Sequence, residues 1–177
     1  MRLLVTGFGP FGDVGDNPSA WLAERLGTPY RILEVSYTAV DDFVEELQAD
    51  PPDALLLMGV ASGAERMRVE TTGRNLTGSI PDVEGRLAGP GPIDPTGPPQ
   101  LGATLWRAPE FFETNDLWET SVDAGSYLCN YALYRCLQAL PNVSVGFLHV
   151  PLPDQVPLER QLEVVRTLVD SIVGSQN

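Results

Sequence analysis

The chain has 177 residues and a formal net charge of −13, because 24 acidic residues outnumber 11 basic residues, all of which are arginines. Its length suits one domain, which we place over 1–177. So strong a negative charge opposes binding to nucleic acid or to an anionic membrane surface, and we expect neither partner. The longest apolar run, 54–58, is far shorter than the roughly 20 residues that span a bilayer. Because we also recognise no signal peptide, we expect a cytoplasmic protein.

The N-terminal third of the chain predicts three strands that alternate with two helices. Continuous apolar character indicates buried strands, and an apolar side indicates a helix on the surface of the sheet. The first helix has the clearest start, with Asn17 as N-cap and Pro18 in the first helical position, and it stops at Gly27. The predicted strands are 3–5, 30–36 and 54–58, and the second helix is 38–49.

The rest of the chain continues the alternation after a long irregular segment. A strand over 66–70 reads as more exposed than the others. The segment 73–103 is rich in Gly and Pro and predicts no regular element, and loops of this length are often functional or mobile. The remaining predicted strands are 116–121 and 143–150, and the remaining helices are 128–140 and 157–173. This order predicts an α/β protein with a mostly parallel central sheet.

One glycine motif resembles a nucleotide site in its letters. The run 7–12 spells G-x-G-x-x-G after a strand, and Glu34 follows roughly twenty residues later, as in a dinucleotide-binding fingerprint. That fingerprint needs the helix to begin inside the glycine run, so that its N-terminus meets the pyrophosphate. Here the helix starts at Asn17-Pro18, five residues past Gly12. A nucleotide-binding oxidoreductase is therefore the less favoured alternative.

We favour another interpretation of the same loop, based on its two aromatic residues. Phe8 and Phe11 lie at the carboxyl end of the first predicted strand, where ligands bind in open α/β sheets. Their rings would form apolar walls of a binding site. The alternative, with equal weight for each ring, is that they fill the core.

Cysteine and histidine chemistry is confined to very few residues. His149 is the one histidine and ends a predicted strand, and Cys129 lies at the predicted start of a helix. A helix N-terminus favours a thiolate, so the pair has the outline of a nucleophile and its base. The ordinary alternatives are a packed cysteine and a core histidine. Cys136, in mid-helix, fits packing.

The same few residues limit other chemistry. Cys129 and Cys136 would lie roughly 10 Å apart along one helix, which is too far for a disulfide. Two cysteines and one histidine make a poor zinc set, so we expect no metal. A working imidazole also needs a partner that fixes its tautomer. The acidic candidates, among which the sequence pattern does not choose, are Glu65, Glu70, Asp82, Glu84 and Asp123.

Four segments together resemble one family. They are L-V-T-G-F-x-P-F-G over 4–12 followed by Asn17-Pro18, I-P-D-x-E-G over 80–85, A-G-S-Y-L-C-N-Y over 124–131 and F-L-H-V-P over 147–151. Their sequence and order resemble pyroglutamyl peptidase I, also called pyrrolidone-carboxylate peptidase, over most of the chain. The resemblance implies a three-layer α/β/α sandwich with a twisted, mixed central sheet. It also implies a cysteine peptidase that removes N-terminal pyroglutamate from peptides.

The resemblance further implies a set of site residues. The nucleophile is Cys129, the base is His149, and the acid is Glu70, which lies five residues before Asn75 in a segment like the family's E-x-x-x-x-N. No cofactor is implied. The expected partners are N-terminally pyroglutamylated peptides and further copies of the chain in a dimer or tetramer. The residues that correspond to the family's lactam pocket are Phe8, Phe11, Asn17, Ile80, Tyr127 and Leu128.

The chain departs from the family at three places. Ser79 stands where an arginine usually assists the oxyanion site, and Val60 stands where the family has a glutamine. The segment between 105 and 116 is also shorter. Loss of one oxyanion donor can lower the rate about 10²–10³-fold, and Arg74 or Arg86 would be the substitutes. The second hypothesis is therefore a drifted family member that binds or hydrolyses another small N-terminal group and has weak pyroglutamyl activity.

Overall fold

Strands and helices alternate through residues 1–175, the part of the chain that the computed structural model describes. The strands are β1 (Leu3–Phe8), β2 (Tyr30–Leu33), β3 (Ala54–Val60), β4 (Met67–Glu70), β5 (Thr72–Arg74), β6 (Gln100–Gly102), β7 (Trp118–Ser121) and β8 (Ser144–Val150). The helices are α1 (Pro18–Arg25), α2 (Tyr37–Ala49), α3 (Leu128–Ala139) and α4 (Leu158–Ser175), with a 3₁₀ turn over Pro109–Phe112.

Six strands form the central sheet in the order β2-β1-β3-β8-β4-β7. The first four run parallel, β4 is antiparallel to β8, and β7 is parallel to β4. Helices α2 and α3 pack on one face, and α1 and α4 pack on the other. The prediction of an α/β fold with a mixed, mostly parallel sheet between two helical layers is confirmed.

Strand β3 shows why a continuous apolar run marks the centre of such a sheet. Leu55 and Leu57 point into the core beneath α2 and α3, whereas Leu56 and Met58 point into the core beneath α1 and α4. Because both faces of the strand are covered, apolar residues are needed at consecutive positions instead of alternate ones. The same reasoning holds for β8, whose seven residues are all buried.

The first helix begins where its capping residues predict. The side-chain oxygen of Asn17 accepts a hydrogen bond from Ser19 N at 3.0 Å, and Ser19 Oγ accepts one from Phe8 N at 2.9 Å. The start of α1 is therefore tied to its own loop, well past the glycine run 7–12. This arrangement differs from that of a dinucleotide fingerprint, in which the helix starts inside the glycine run.

Two predicted boundaries differ from the structure for a local reason. Strand β2 ends at Leu33 instead of residue 36, and α2 begins at Tyr37 instead of residue 38. Ser36 is the cause, because its hydroxyl accepts a hydrogen bond from Ala39 N at 3.3 Å and so caps the helix. The end of the predicted strand is in fact the approach to α2.

The expectation of an exposed strand near residue 66 is wrong. Strand β4 lies between β8 and β7, and Met67, Val69 and Glu70 are buried. The charged residues of β4 have polar partners within the protein. Arg68 Nε, for example, donates to Glu119 Oε1 on β7 at 2.9 Å.

The long segment after β4 contains a two-stranded sheet that the sequence pattern did not predict. Strands β5 and β6 pair antiparallel at its two ends. Between them, Asn75 and the backbone of Asp94 exchange two hydrogen bonds of 2.7 and 2.8 Å. Within residues 1–175, no helix is long and apolar enough to cross a membrane.

Candidate active site

The site begins at the carboxyl ends of the two central strands. Gly59 of β3 and His149 of β8 are register partners there. Gly59 leaves space for the nucleophile candidate, since a Cβ atom at this position would lie 2.7 Å from Cys129 Sγ and 2.9 Å from the Phe147 ring. The thiol of α3 therefore rests on the sheet beside the histidine, although the two residues are twenty apart in the chain.

The antiparallel register of β4 brings the acid to the histidine. Glu70 pairs with Phe147, so His149, two residues further along β8, is its diagonal neighbour on the same face. Glu70 Oε1 lies 2.7 Å from His149 Nδ1. Glu70 is fully buried and His149 is 7% exposed, so the pair is shielded from water. Glu70 is thus the one acidic candidate that reaches the imidazole.

The other four acidic candidates have different positions. Glu65 is exposed, and the Glu84 carboxylate accepts a hydrogen bond from Ser36 Oγ. Asp123 forms an ion pair with Arg74. Burial would raise the pKa of Asp82, but backbone N–H donors from residues 37, 84 and 86 lower it below its usual value. Asp82 therefore organises the turn around it.

Two neighbouring groups set the protonation of His149. Burial alone would lower the pKa of His149, but the Cys129 thiolate and the Glu70 carboxylate raise it to about 9. Each of these two groups also contributes a side-chain hydrogen bond. Because Glu70 takes Nδ1, the nitrogen left for Cys129 is Nε2. Near neutral pH, the imidazole is therefore protonated, and it lies between Glu70 and Cys129.

The local structure of α3 favours an anion at the thiol. Tyr127 is the N-cap and Cys129 is the second helical residue, so the sulfur lies in the first turn, at the positive end of the helix. The first backbone N–H groups of a helix have no acceptor within it. The N–H of Cys129 is therefore suited to bind an oxyanion. Cys136 contrasts with it, because complete burial raises the pKa of that thiol to about 12.

Comparisons with known proteins decide the family. A family model described as pyroglutamyl peptidase matches residues 1–175. The chain belongs to the pyroglutamyl peptidase family. It is 34% identical to pyrrolidone-carboxylate peptidase 1 of Caldanaerobacter subterraneus subsp. tengcongensis, in a match that covers 97% of this chain and 93% of that protein.

Solved structures of the pyroglutamyl peptidase family have the same fold. The pyrrolidone carboxyl peptidase of Thermococcus litoralis superposes with a TM-score of 0.86 at 26% identity, over 98% of this chain and 94% of that one. The Thermus thermophilus protein superposes with a TM-score of 0.76 at 36% identity, over 93% and 96%. The family recognised from four sequence segments, and the prediction of a pyroglutamyl peptidase enzyme, are confirmed.

Four of the predicted pocket residues of this pyroglutamyl peptidase belong to one apolar cluster. Phe8 and Leu128 are buried in the core beneath α2 and α3, and Phe11 and Tyr127 pack against it. Cys129 packs against the same cluster. The structure therefore places these residues on the same face of the sheet as the thiol. For Phe8, which is 3% exposed, the core interpretation describes most of the ring surface.

The other two predicted pocket residues have contrasting surroundings. Ile80 is 58% exposed, and it precedes Pro81, whose carbonyl accepts a hydrogen bond from Tyr127 Oη at 3.0 Å. Asn17 is buried, and its side-chain nitrogen donates to Gly9 O at 2.9 Å. Because its oxygen caps α1, Asn17 holds the loop that carries Phe11.

The two arginines considered as substitutes for the family's arginine have other contacts. The Arg74 guanidinium donates a hydrogen bond to the Asp123 carboxylate in the turn before α3. Arg86 Nη1 donates to Thr38 Oγ1 at 2.8 Å. Ser79, at the position of the family's arginine, is exposed. The guanidinium groups of Arg74 and Arg86 are therefore both used in contacts outside the Cys129, His149 and Glu70 group.

Two residues that shape the site were not among the predicted site residues. Gly59 resembles any glycine at the end of a strand, and its role depends on the distant Cys129. Asn130 is fully buried, and its side chain exchanges hydrogen bonds with both backbone groups of Arg74 at 2.8 Å. It also donates to Leu76 O at 2.9 Å, which fixes the nucleophile helix against the long loop.

Proposed function

We propose that the chain removes N-terminal pyroglutamate from peptides with Cys129 as nucleophile, His149 as acid and base, and Glu70 as the group that orients the imidazole. The observation that carries this proposal is the buried contact of 2.7 Å between His149 Nδ1 and Glu70 Oε1, with Cys129 on the other side of the imidazole. A thiol, a base and an orienting carboxylate in this order form a complete nucleophilic unit.

The reaction follows from the charges of these groups. The Cys129 thiolate attacks the carbonyl carbon of the pyroglutamyl residue and forms a carbon–sulfur bond and an oxyanion. When this intermediate collapses, the carbon–nitrogen bond breaks and His149 gives its Nε2 proton to the leaving amine. Water then attacks the thioester, neutral His149 takes a proton from it, and pyroglutamate leaves. This step restores the thiolate and the imidazolium.

The surroundings of Cys129 suit a neutral amino terminus. In pyroglutamate, the amino group is closed into a lactam and carries no positive charge, so an apolar site can bind it without a desolvated ion pair. The cluster around Phe8, Phe11, Tyr127 and Leu128 offers such surfaces. Ile80 and Asn17 complete the proposed pocket, the first at its rim and the second by holding the loop.

Stabilisation of the oxyanion is assigned to the first turn of α3. The backbone N–H of Cys129 and the helix dipole act together at this point. Since Ser79 replaces the arginine of the family, turnover depends on these groups more strongly than in relatives with the arginine. The homo-oligomeric state and the cytoplasmic location stay predictions.

Ser79 and Val60 also favour a second candidate, a family member whose preferred N-terminal group has changed. The test is hydrolysis of a fluorogenic pyroglutamyl amide beside a panel of aminoacyl amides, with the wild type and Cys129→Ala. Turnover of the pyroglutamyl amide alone, lost in the variant, supports the first candidate. Faster turnover of another amide supports the second. A fully active Cys129→Ala variant contradicts both.

A further inference from the structure

The acid of the proposed triad lies where β4 separates from β8. The pairing of the two strands ends at Glu70 and Phe147. Beyond this point, the segment 103–106, here called the brace, lies beside β8 instead. Val145 O accepts hydrogen bonds from Thr104 N at 2.8 Å and Leu105 N at 3.1 Å. The brace therefore continues the sheet edge that β4 leaves.

The brace also holds the chain that follows β4. Ala103 N donates to Thr71 O at 2.8 Å, and Trp106 Nε1 donates to Glu70 O at 2.9 Å. The backbone of the triad acid and of the next residue are thus both fixed by the brace. Among the hydrogen bonds of residues 1–175, Trp106 is the only member of the brace whose side chain donates to Glu70.

The indole of Trp106 is itself held firmly. It is 4% exposed, and its ring packs against Phe111 with 5.2 Å between centroids. Gly146 of β8 makes the space for it, since a Cβ atom there would lie 2.9 Å from Trp106 Cε2. A donor with so little freedom can fix the position of the carbonyl that it binds.

Glu70 needs such a backbone anchor because few groups hold its carboxylate. Oε1 contacts His149, whereas Oε2 is buried and has no hydrogen-bond partner among the described residues. The place of the carboxylate beneath the imidazole is therefore set mainly through its own backbone. We propose that Trp106 is a positioning residue of the active site, which holds Glu70 against His149 through the indole hydrogen bond.

This inference rests on the proposed function for its effect on turnover, and on geometry for its effect on His149. The titratable groups that face His149 are Cys129 from α3 and Glu70 from β4. Arg68, its register partner on β4, forms an ion pair with Glu119. Loss of the anchor would therefore change the protonation of His149 through Glu70, while the other charges remain in place.

The test compares Trp106→Phe with Trp118→Phe. Trp118 is a matched control, because its Nε1 also donates to a backbone carbonyl, Glu110 O at 3.3 Å, away from the triad. In Trp106→Phe, we expect kcat on a pyroglutamyl amide to fall about 3- to 10-fold, as for one lost hydrogen bond. KM should not change. Trp118→Phe should retain the kcat of the wild type.

A second readout needs no substrate. The rate at which iodoacetamide alkylates Cys129 is measured against pH, since it reports the thiolate beside His149. The alkaline limb of this pH profile reports the loss of the His149 proton. In Trp106→Phe, it should move to lower pH by roughly 0.5 pH unit, because a displaced Glu70 stabilises the imidazolium less. In a Glu70→Gln background, Trp106→Phe should have no further effect on this limb.

Each result decides one question. An alkaline limb that does not move in Trp106→Phe, or that moves equally in Trp118→Phe, overturns the positioning role. A shifted limb in a protein that does not hydrolyse pyroglutamyl amides supports the positioning role and contradicts the proposed function. If Trp106→Phe does not fold, the test uses the ¹⁵N-labelled wild type instead, and the chemical shift of the Trp106 indole N–H is measured against pH. That resonance should titrate with His149, and a flat profile also overturns the inference.

Discussion

A methyl group at Gly59 should disable the nucleophile without unfolding the protein. Gly59 lies at the carboxyl end of β3, opposite His149. The added Cβ atom of Gly59→Ala would lie 2.7 Å from Cys129 Sγ and 2.9 Å from Phe147 Cζ. Carbon atoms in favourable contact are about 3.5–4.0 Å apart, and sulfur is larger. The thiol must therefore move by roughly 1 Å or rotate away from His149.

The size of the effect follows from this displacement. A reacting group that is misplaced by about 1 Å can lower the rate about 10²-fold, and we expect a loss of that order in kcat/KM. Overpacking of a core usually costs about 1–3 kcal/mol in the free energy of unfolding. Since native proteins are stable by about 5–15 kcal/mol, Gly59→Ala should still fold.

The assay measures kcat/KM on a pyroglutamyl amide, the alkylation rate of Cys129 and the thermal midpoint. Gly63→Ala is the matched control, because Gly63 lies in the loop after β3 and has no atom within 4 Å of its built Cβ. The control should behave like the wild type in all three. Wild-type turnover and alkylation in a folded Gly59→Ala would refute the placement of Cys129 Sγ over β3.

Three further predictions test the site and its support. Cys129→Ala should abolish turnover, whereas Cys136→Ser should retain it, and equal activities of the two variants would contradict the nucleophile assignment. In a pH–rate profile, turnover of the wild type should fall as the pH rises through about 9, where His149 loses its proton. In Glu70→Gln, the pKa of His149 should be lower, so the fall should begin at lower pH. Asn17→Ala should lower the free energy of unfolding by about 1 kcal/mol through the lost helix cap and raise KM by loosening the Phe11 loop, as measured by denaturant titration and steady-state kinetics.

The sequence predicted the features that local chemistry controls. The start of α1 followed from Asn17 and Pro18, and β3 followed from its apolar run, because a cap and a two-sided burial pattern act within a few residues. Cys129 and His149 stood out because the chain has so few thiols and only one imidazole. The start of helix α3 and the end of strand β8 then meet at the carboxyl edge of the sheet.

What the local pattern did not predict depends on register between distant segments. From the residues alone, five acids were equal candidates, and only the resemblance to the family singled out Glu70. In the structure, Glu70 is selected because β4 runs antiparallel to β8 and pairs with it at Phe147. The burial of β4 also depends on a distant segment. Its residue Arg68 pairs with Glu119, which lies on a strand far along the chain. The contact between Gly59 and Cys129 is likewise invisible before folding.

The position of Arg74 shows how the site can lack the family's arginine. Its backbone is fixed to α3 by Asn130, and its guanidinium binds Asp123 in the turn that leads to Cys129. Arg74 therefore supports the first turn of α3 from behind, where a carboxylate already neutralises its charge. The same guanidinium also donates to Gly125 O at 3.3 Å, so both of its contacts lie in this turn. In the proposed mechanism, the turn that Arg74 holds in place is the one whose backbone N–H groups bind the oxyanion, so the contribution of Arg74 to turnover would be indirect.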